Sequence, residues 1–400
     1  MDMTPEQKCL LSLIGHSLYS MPFEMPCGVD LRALMREANA QAVSSIAFKS
    51  YELIPLDDEL SEAVKTTLMR HTLSNVECFK NHTYLHNLMQ NNGVRYCIVK
   101  GAVSASYYPD PLSREMGDVD FYVHPDDFEL ACRVLKDDGF VFSNDDHPCH
   151  ISMHNGRKHF ELHFKPVAYS EGSVGDMILE NWRDILERSS IKQDKLATYC
   201  APSTFHHGFI LLTHLQHHLF QEGIGLRHFI DWAVFVSSLS NDEFLTLFEA
   251  RLKKIGLFRL AQLLCLGAVK HLGMPHSAWM GDDYETADEL LNDILSGGNF
   301  GRKDRQRAFE RLLICDRDSG DVKKPRIAQM FRSLNRIVDS HWKCAKKFPL
   351  LYPIGWIFFP ARFFIRMLFG KRKLNVIDTY KKSGERKKKY SKIKAYDPEE

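Results

Sequence analysis

The chain contains ten cysteines but no C-x-x-C pair. Cys9, Cys27, Cys78, Cys97, Cys132, Cys149, Cys200, Cys265, Cys315 and Cys344 are scattered singly. That spacing supports neither a thiolate zinc ribbon nor a thioredoxin-type redox centre. No export signal is expected either, since the N-terminus carries Asp2 and Glu6 and has no basic region followed by a long apolar run. The cysteines are therefore expected to be small buried apolar groups in a reducing cytoplasm. There is no internal repeat and no large excess of either charge. With 52 Lys and Arg against 51 Asp and Glu, the formal net charge is +1. This balance hides an asymmetry: residues 1–370 hold 41 basic and 46 acidic groups, whereas 371–394 hold eleven basic groups against Asp378 and Glu385. Nucleic-acid partners usually require basic density on the folded body, so a nucleic acid is not favoured.

A long membrane-spanning run is also lacking. Phe348 to Ala361 is free of charge but only fourteen residues long, and Pro349, Pro353 and Pro360 interrupt it. As a helix it would reach roughly 21 Å, short of a bilayer core of roughly 30 Å. An aromatic amphipathic segment followed by a basic tail does suit the surface of an anionic membrane. Peripheral membrane contact through 348–394 is one expectation, and packing of the segment on the body with a solvated tail is the other.

The composition that is present, 44% hydrophobic and 26% charged over 400 residues, is that of a globular protein of two or three domains. Residues 1–94 carry apolar residues at helical spacing and end at the turn dipeptide Asn92-Gly93. The character changes at 95–170. Tyr96 to Val99, Val119 to Val123, Phe140 to Phe142, Ile151 to Met153 and His159 to Phe164 read as short strands, with helices at Ala102 to Tyr108 and after Pro125. Residues 171–345 return to helical patterns. In them Phe209 to Phe220 and Leu226 to Trp232 form an antiparallel pair across Gly223-Ile224-Gly225, with further helices through 242–272, 284–296 and 302–315. Residues 346–400 are the aromatic segment and basic tail. The fold class expected is α+β, a small mixed sheet between helical regions.

The chemistry concentrates in that sheet. Asp118 and Asp120 stand one residue apart at the start of a strand, so both carboxylates project from one face with Cα atoms roughly 6.5 Å apart. Hard divalent ions bind such oxygens. Val119 and Phe121 then point to the core and fix the register. In Phe160-Glu161-Leu162-His163-Phe164, Glu161 and His163 share the polar face. If the two strands are neighbours, Glu161 adds a third carboxylate, to complete a metal site or to accept a hydroxyl proton. Lys100-Gly101-Ala102 joins a strand to a helix N-terminus, a place where backbone N–H groups approach phosphate oxygens. Arg114 could hold a phosphate bidentately. Two histidine groups invite zinc: His147, Cys149, His150 and His154 in one stretch, and His214 with His218 at i, i+4. The latter lacks the Glu of H-E-x-x-H, and structural histidines are the expected reading of both.

The run Val99-Lys100-Gly101-Ala102, Tyr108-Pro109-Asp110, then Arg114 to Val123, followed by Glu161-Leu162-His163, resembles a polymerase-β-type nucleotidyltransferase. It is most similar to a bacterial nucleotidyltransferase family whose signature reads L-K-G-A, then R-x-M-G-D-h-D, then E-L-H. The resemblance runs from about residue 60 to 240. It implies that Asp118 and Asp120 bind Mg²⁺ or Mn²⁺, that Glu161 is the third carboxylate, and that Gly101 with Ala102 seats a nucleoside triphosphate. Many wider relatives have Gly-Gly or Gly-Ser where this chain has Gly101-Ala102, so a hydroxyl contact to phosphate is lost. Lys100 and Arg114 match residues typical of the closer family. The implied reaction moves a nucleoside monophosphate to an acceptor, which could be a sugar, a lipid-linked intermediate, a peptide or a protein side chain. The alternatives are phosphoryl or pyrophosphoryl transfer at the same site and a non-catalytic assembly role at a membrane surface.

Overall fold

The computed structural model describes residues 3–143, 149–166, 173–220, 222–304, 331, 334–335, 338, 342, 345, 347–369, 384, 386, 390 and 392–393. An N-terminal helical layer comes first. Helix α1 (Pro5–Tyr19) starts at a capping box in which Thr4 and Gln7 satisfy each other's backbone N–H groups. It is followed by α2 (Leu31–Ala40), capped by Asp30, the short α3 (Ser44–Ala47), and the long α4 (Asp58–Asn91), capped by Asp57. The expected stop at Asn92-Gly93 is where α4 ends, with Gly93 at φ +66°.

The sheet has five strands in the order β1-β2-β5-β4-β3. These are β1 (Tyr96–Ile98), β2 (Val119–Val123), β3 (Val141–Phe142), β4 (His150–Asn155) and β5 (Lys158–His163). Only the central pair β2–β5 is parallel; the rest are antiparallel. Helix α5 (Ala102–Ala105) bridges β1 to β2, and α6 (Phe128–Asp137) follows β2. Val119, Phe121, Phe160 and Leu162 form the apolar face, with Phe121 edge-on to Phe160 and Phe160 stacked on Phe140. The alternation read from the sequence thus sorts the two faces as expected.

The C-terminal side begins with α7 (Ser173–Glu180). A two-stranded hairpin, β6 (Ser190–Gln193) with β7 (Thr198–Ala201), follows where only helix was expected. Its first strand is exposed throughout, so no period-2 burial pattern marks it. The hairpin is anchored by the Cys200 N–H, which donates to the Tyr96 hydroxyl at 3.2 Å. Then come α8 (Thr204–Phe220) and α9 (Leu226–Ser237), packed against each other across the Gly223-Ile224-Gly225 turn. The helical pattern expected through 242–272 is divided into α10 (Asn241–Phe244), a π turn over Leu245–Glu249, α11 (Ala250–Lys254) and α12 (Phe258–Leu272). Gly256, at φ +67°, makes the break. Helix α13 (Tyr284–Gly297) matches expectation, and the helix expected at 302–315 falls mostly outside the described residues.

One hydrophobic core runs through all these layers, from Cys9 in α1 to Leu295 in α13. It also includes Tyr390 and Ile393 from the basic tail. Arg386 is buried there, donating to the Leu219 carbonyl at 2.9 Å, and Tyr390 donates to Asp293. These tail residues therefore pack on the body. Helix α14 (Leu351–Phe369) precedes the tail. No helix among the described residues is long and apolar enough to cross a membrane.

Candidate active site

Parallel pairing of β2 with β5 places Asp120 directly beside Glu161. Asp118, one turn of the pleat earlier, completes a trio in which one carboxylate oxygen from each residue lies within 4.8 Å of the other two. His163, two residues beyond Glu161, reaches diagonally across the strands, and its Nε2 donates to Asp120 Oδ1 at 3.0 Å. From the end of β1, Lys100 Nζ donates to the same oxygen at 3.1 Å. The trio lines a cavity of about 750 Å³ between the sheet and helices α8 and α9.

The carboxylates do not share one electrostatic environment. Asp118 is raised, first by the charge of Asp120 and then by burial. Burial also pushes Asp120 up, but Lys100 and His163 outweigh it and hold that carboxyl well below the usual range. Glu161 is pushed up to about 8 by burial and by repulsion from both aspartates. One member is thus fixed as an anion, and two are frustrated in a way that an added cation relieves. His150 stands 3.8 Å from Glu161 and, with Glu161 and His163, forms a second group of three donors. His150 belongs to the stretch in which zinc was considered; His147 of that stretch lies outside the described residues.

Two expected phosphate contacts are arranged differently. Gly101 has φ +52°, and a Cβ there would sit 2.4 Å from His82 Nε2, so only glycine passes under that ring. The Ala102 N–H donates to His82 Nε2 at 3.1 Å, while His82 Nδ1 donates to the Cys78 carbonyl at 2.7 Å. Ala102 is fully buried, and its N–H is engaged by this imidazole instead of facing a phosphate. Arg114 also differs from expectation. Its guanidinium fork grips Asp231 of α9 through Nε and Nη2, both at 2.8 Å, and the Tyr108 hydroxyl donates to Asp231 at 2.7 Å. Burial would push the guanidinium down, but Asp231 holds it above its usual value. Arg114 therefore ties the loop before β2 to the helical side, and Asn75 of α4 holds the same loop through Leu112 O and Met116 N.

The helical side of the cavity contributes residues to which the sequence reading assigned no chemistry: Arg227, His228, Asn299 and Phe300. Arg227 and Asp231 are charged positions at i, i+4 in an otherwise apolar helix, a signal that could have marked them. Nothing in the local sequence marks Asn299 or Phe300. His214 and His218 do share a face, with their Nε2 atoms 3.0 Å apart and His218 Nδ1 bonded to Glu222 at 2.8 Å. Among the described residues they belong to no group of three metal donors.

A family profile described as an uncharacterised nucleotidyltransferase matches residues 28–273. No curated protein matches the chain. The matched segment is more than half of the chain and holds the carboxylate trio, Lys100, Gly101 and His163. The chain belongs to this nucleotidyltransferase family.

Proposed function

With that membership as the premise, we propose that the protein transfers a nucleoside monophosphate from a nucleoside triphosphate to an acceptor hydroxyl or phosphate, releasing pyrophosphate with the help of a divalent cation. The observation that carries this reading is the pairing of Asp120 with Glu161 on adjacent parallel strands, which gathers three carboxylates in one cavity. An all-oxygen donor set fits Mg²⁺ or Mn²⁺, and the repulsion within the trio is what such an ion offsets. When bound, the ion would supply positive charge against the transferring phosphoryl group.

The residues then divide the work. Asp118 and Asp120 hold the ion, with Asp120 oriented by Lys100 and His163. Lys100, whose Nζ lies 3.1 Å from Asp120, sets a cation beside the triphosphate. Gly101, which passes under the His82 ring, keeps Lys100 at the rim of the cavity. The acceptor oxygen bonds to the α-phosphorus, the bond from that phosphorus to its bridging oxygen breaks, and the electron pair leaves with pyrophosphate. Glu161, a carboxylate once the cation offsets the charge of the two aspartates, takes the acceptor's proton. Catalysis of this kind rests on positioning and charge. The test is pyrophosphate release from each of the four triphosphates with Mg²⁺, by the wild-type protein and by Asp118→Ala/Asp120→Ala. Metal-dependent release lost in the variant supports the reading; equal release by both removes it.

A second, separable role concerns α14. Ile354, Ile357 and Phe358 of this helix are exposed, together with Phe348 and Leu350 just before it, which favours contact with an anionic membrane surface. Sedimentation with vesicles containing phosphatidylserine, before and after removal of residues 347–400, tests it; binding unaffected by the truncation contradicts it.

A further inference from the structure

On the helical side of the cavity, three buried polar atoms have no hydrogen-bond partner among the described residues: Arg227 Nε, His228 Nδ1 and Asn299 Oδ1. His228 is 8% exposed and Asn299 3%. All three residues line the cavity, and buried polar atoms are nearly always paired, so unpaired ones on this wall point to a partner that is missing from it.

Beside them, Phe300 is held in the left-handed region, at φ +51° and ψ +43°. That conformation is costly for a bulky residue and persists only where the surroundings impose it. Here they do. Gly301 passes so close to the Glu222 carbonyl that a Cβ would lie 2.7 Å from it. Lys303 ties the end of the loop to Glu37 and to the Leu295 carbonyl, at 2.7 and 2.8 Å. The ring of Phe300 stands edge-on to His218 at 5.0 Å and to His228 at 5.2 Å, yet 42% of the residue remains exposed. A strained loop thus presents a fixed aromatic ring to the cavity. Asn299 and Phe300 lie beyond the segment 28–273 that the family profile matches.

The chemistry of this wall is specific. It offers a guanidinium donor, an imidazole kept neutral by burial, an amide oxygen as acceptor, and an aromatic ring. Such a set suits a planar, uncharged ring with donors and acceptors on its edge. We infer that Arg227, His228, Asn299 and Phe300 form the subsite for the nucleobase of the triphosphate, stacked on Phe300 and read along its edge by the other three. The inference rests on a nucleoside triphosphate being the donor.

The experiment is equilibrium binding of ATP, GTP, CTP, UTP and inorganic tripolyphosphate, each with Mg²⁺, to the full-length wild-type protein, Phe300→Gly and Asn299→Ala. Glycine accepts the left-handed backbone, so Phe300→Gly keeps the fold and removes only the ring. The wild-type protein is expected to bind its best nucleotide about tenfold or more tightly than tripolyphosphate, and to rank the bases. Phe300→Gly should lose about tenfold on that nucleotide and nothing on tripolyphosphate, and Asn299→Ala should change the ranking. Nucleotide affinity and ranking unchanged in both variants would overturn the subsite and leave the reaction standing. So would wild-type protein that binds nucleotides no better than tripolyphosphate. Wild-type protein that binds neither would remove both the subsite and the triphosphate reading.

Discussion

The two sides of the cavity are built by different means. On the sheet side, Asp118, Asp120, Glu161 and His163 are set by backbone register: alternation along each strand chooses the face, and the β2–β5 pairing chooses the neighbour. On the helical side, Arg227, His228, Asp231, Asn299 and Phe300 are set by packing among α8, α9 and a loop after α13. The first kind of order is local and periodic, and the second exists only once distant segments have met. The difference separates substitutions that should change chemistry with the fold intact from those that should change the fold.

The largest effect is expected on the sheet side. Asp120→Asn keeps the shape and one acceptor oxygen but removes the charge, and turnover should fall on the order of 10³-fold, near the upper range for loss of one electrostatic group. Circular dichroism should stay that of the wild type. A rate near wild type would contradict the assignment.

The buried pair that joins the two sides comes next. Arg114→Met alone leaves Asp231 buried and uncompensated, with a cost of about 3–5 kcal/mol. The double replacement Arg114→Met/Asp231→Leu should recover much of that loss in denaturant unfolding. If the single and double variants unfold together, the pair is not what joins the walls.

Acid should weaken the helical layers through their buried histidines. Burial pushes His82 down to about 4 and His207 to about 3, and lowers His206, His214 and His228 as well. The unfolded chain takes up these protons near pH 6.5 and the folded chain does not. Stability is therefore fully present above about pH 6.5 and declines as pH falls toward about 4; His82 alone accounts for about 3 kcal/mol. Urea unfolding at pH 7, 5.5 and 4.5 reads this directly, and a midpoint that does not move would contradict it.

The smallest effect is expected from a residue that acts through another. His163→Ala removes a donor that orients Asp120, and the apparent Mg²⁺ affinity should weaken about 10–100-fold. His163→Gln, which can still donate, should lose less. Equal loss in both would mean that the ring acts only by filling space.

These contrasts also explain what could be read from the sequence. A two-residue period was enough to put Asp118 with Asp120 and Glu161 with His163, because strand geometry leaves no other choice. The α8–α9 pair was legible from its apolar run and its Gly223–Gly225 turn. The engagement of the Ala102 N–H by His82, twenty residues earlier on another element, was not. Nor was the capture of Arg114 by Asp231 across 117 residues, since a side chain's partner at that distance depends on the whole packing. The hairpin at 190–201 stayed hidden because its first strand is polar and exposed, and Phe300 because a strained backbone leaves no trace in residue type.

The central claim is that this cavity moves the α-phosphoryl nucleotidyl group. The most direct measurement gives the wild-type protein, with Mg²⁺ and a cell extract as the source of acceptors, a triphosphate labelled either at the α- or at the γ-phosphorus. Transfer of the α label to an acceptor, release of the γ label as pyrophosphate, and loss of both in Asp118→Asn/Asp120→Asn is the predicted result. Transfer of the γ label would make the protein a phosphotransferase, and labelling that persists in the double variant would place the chemistry elsewhere.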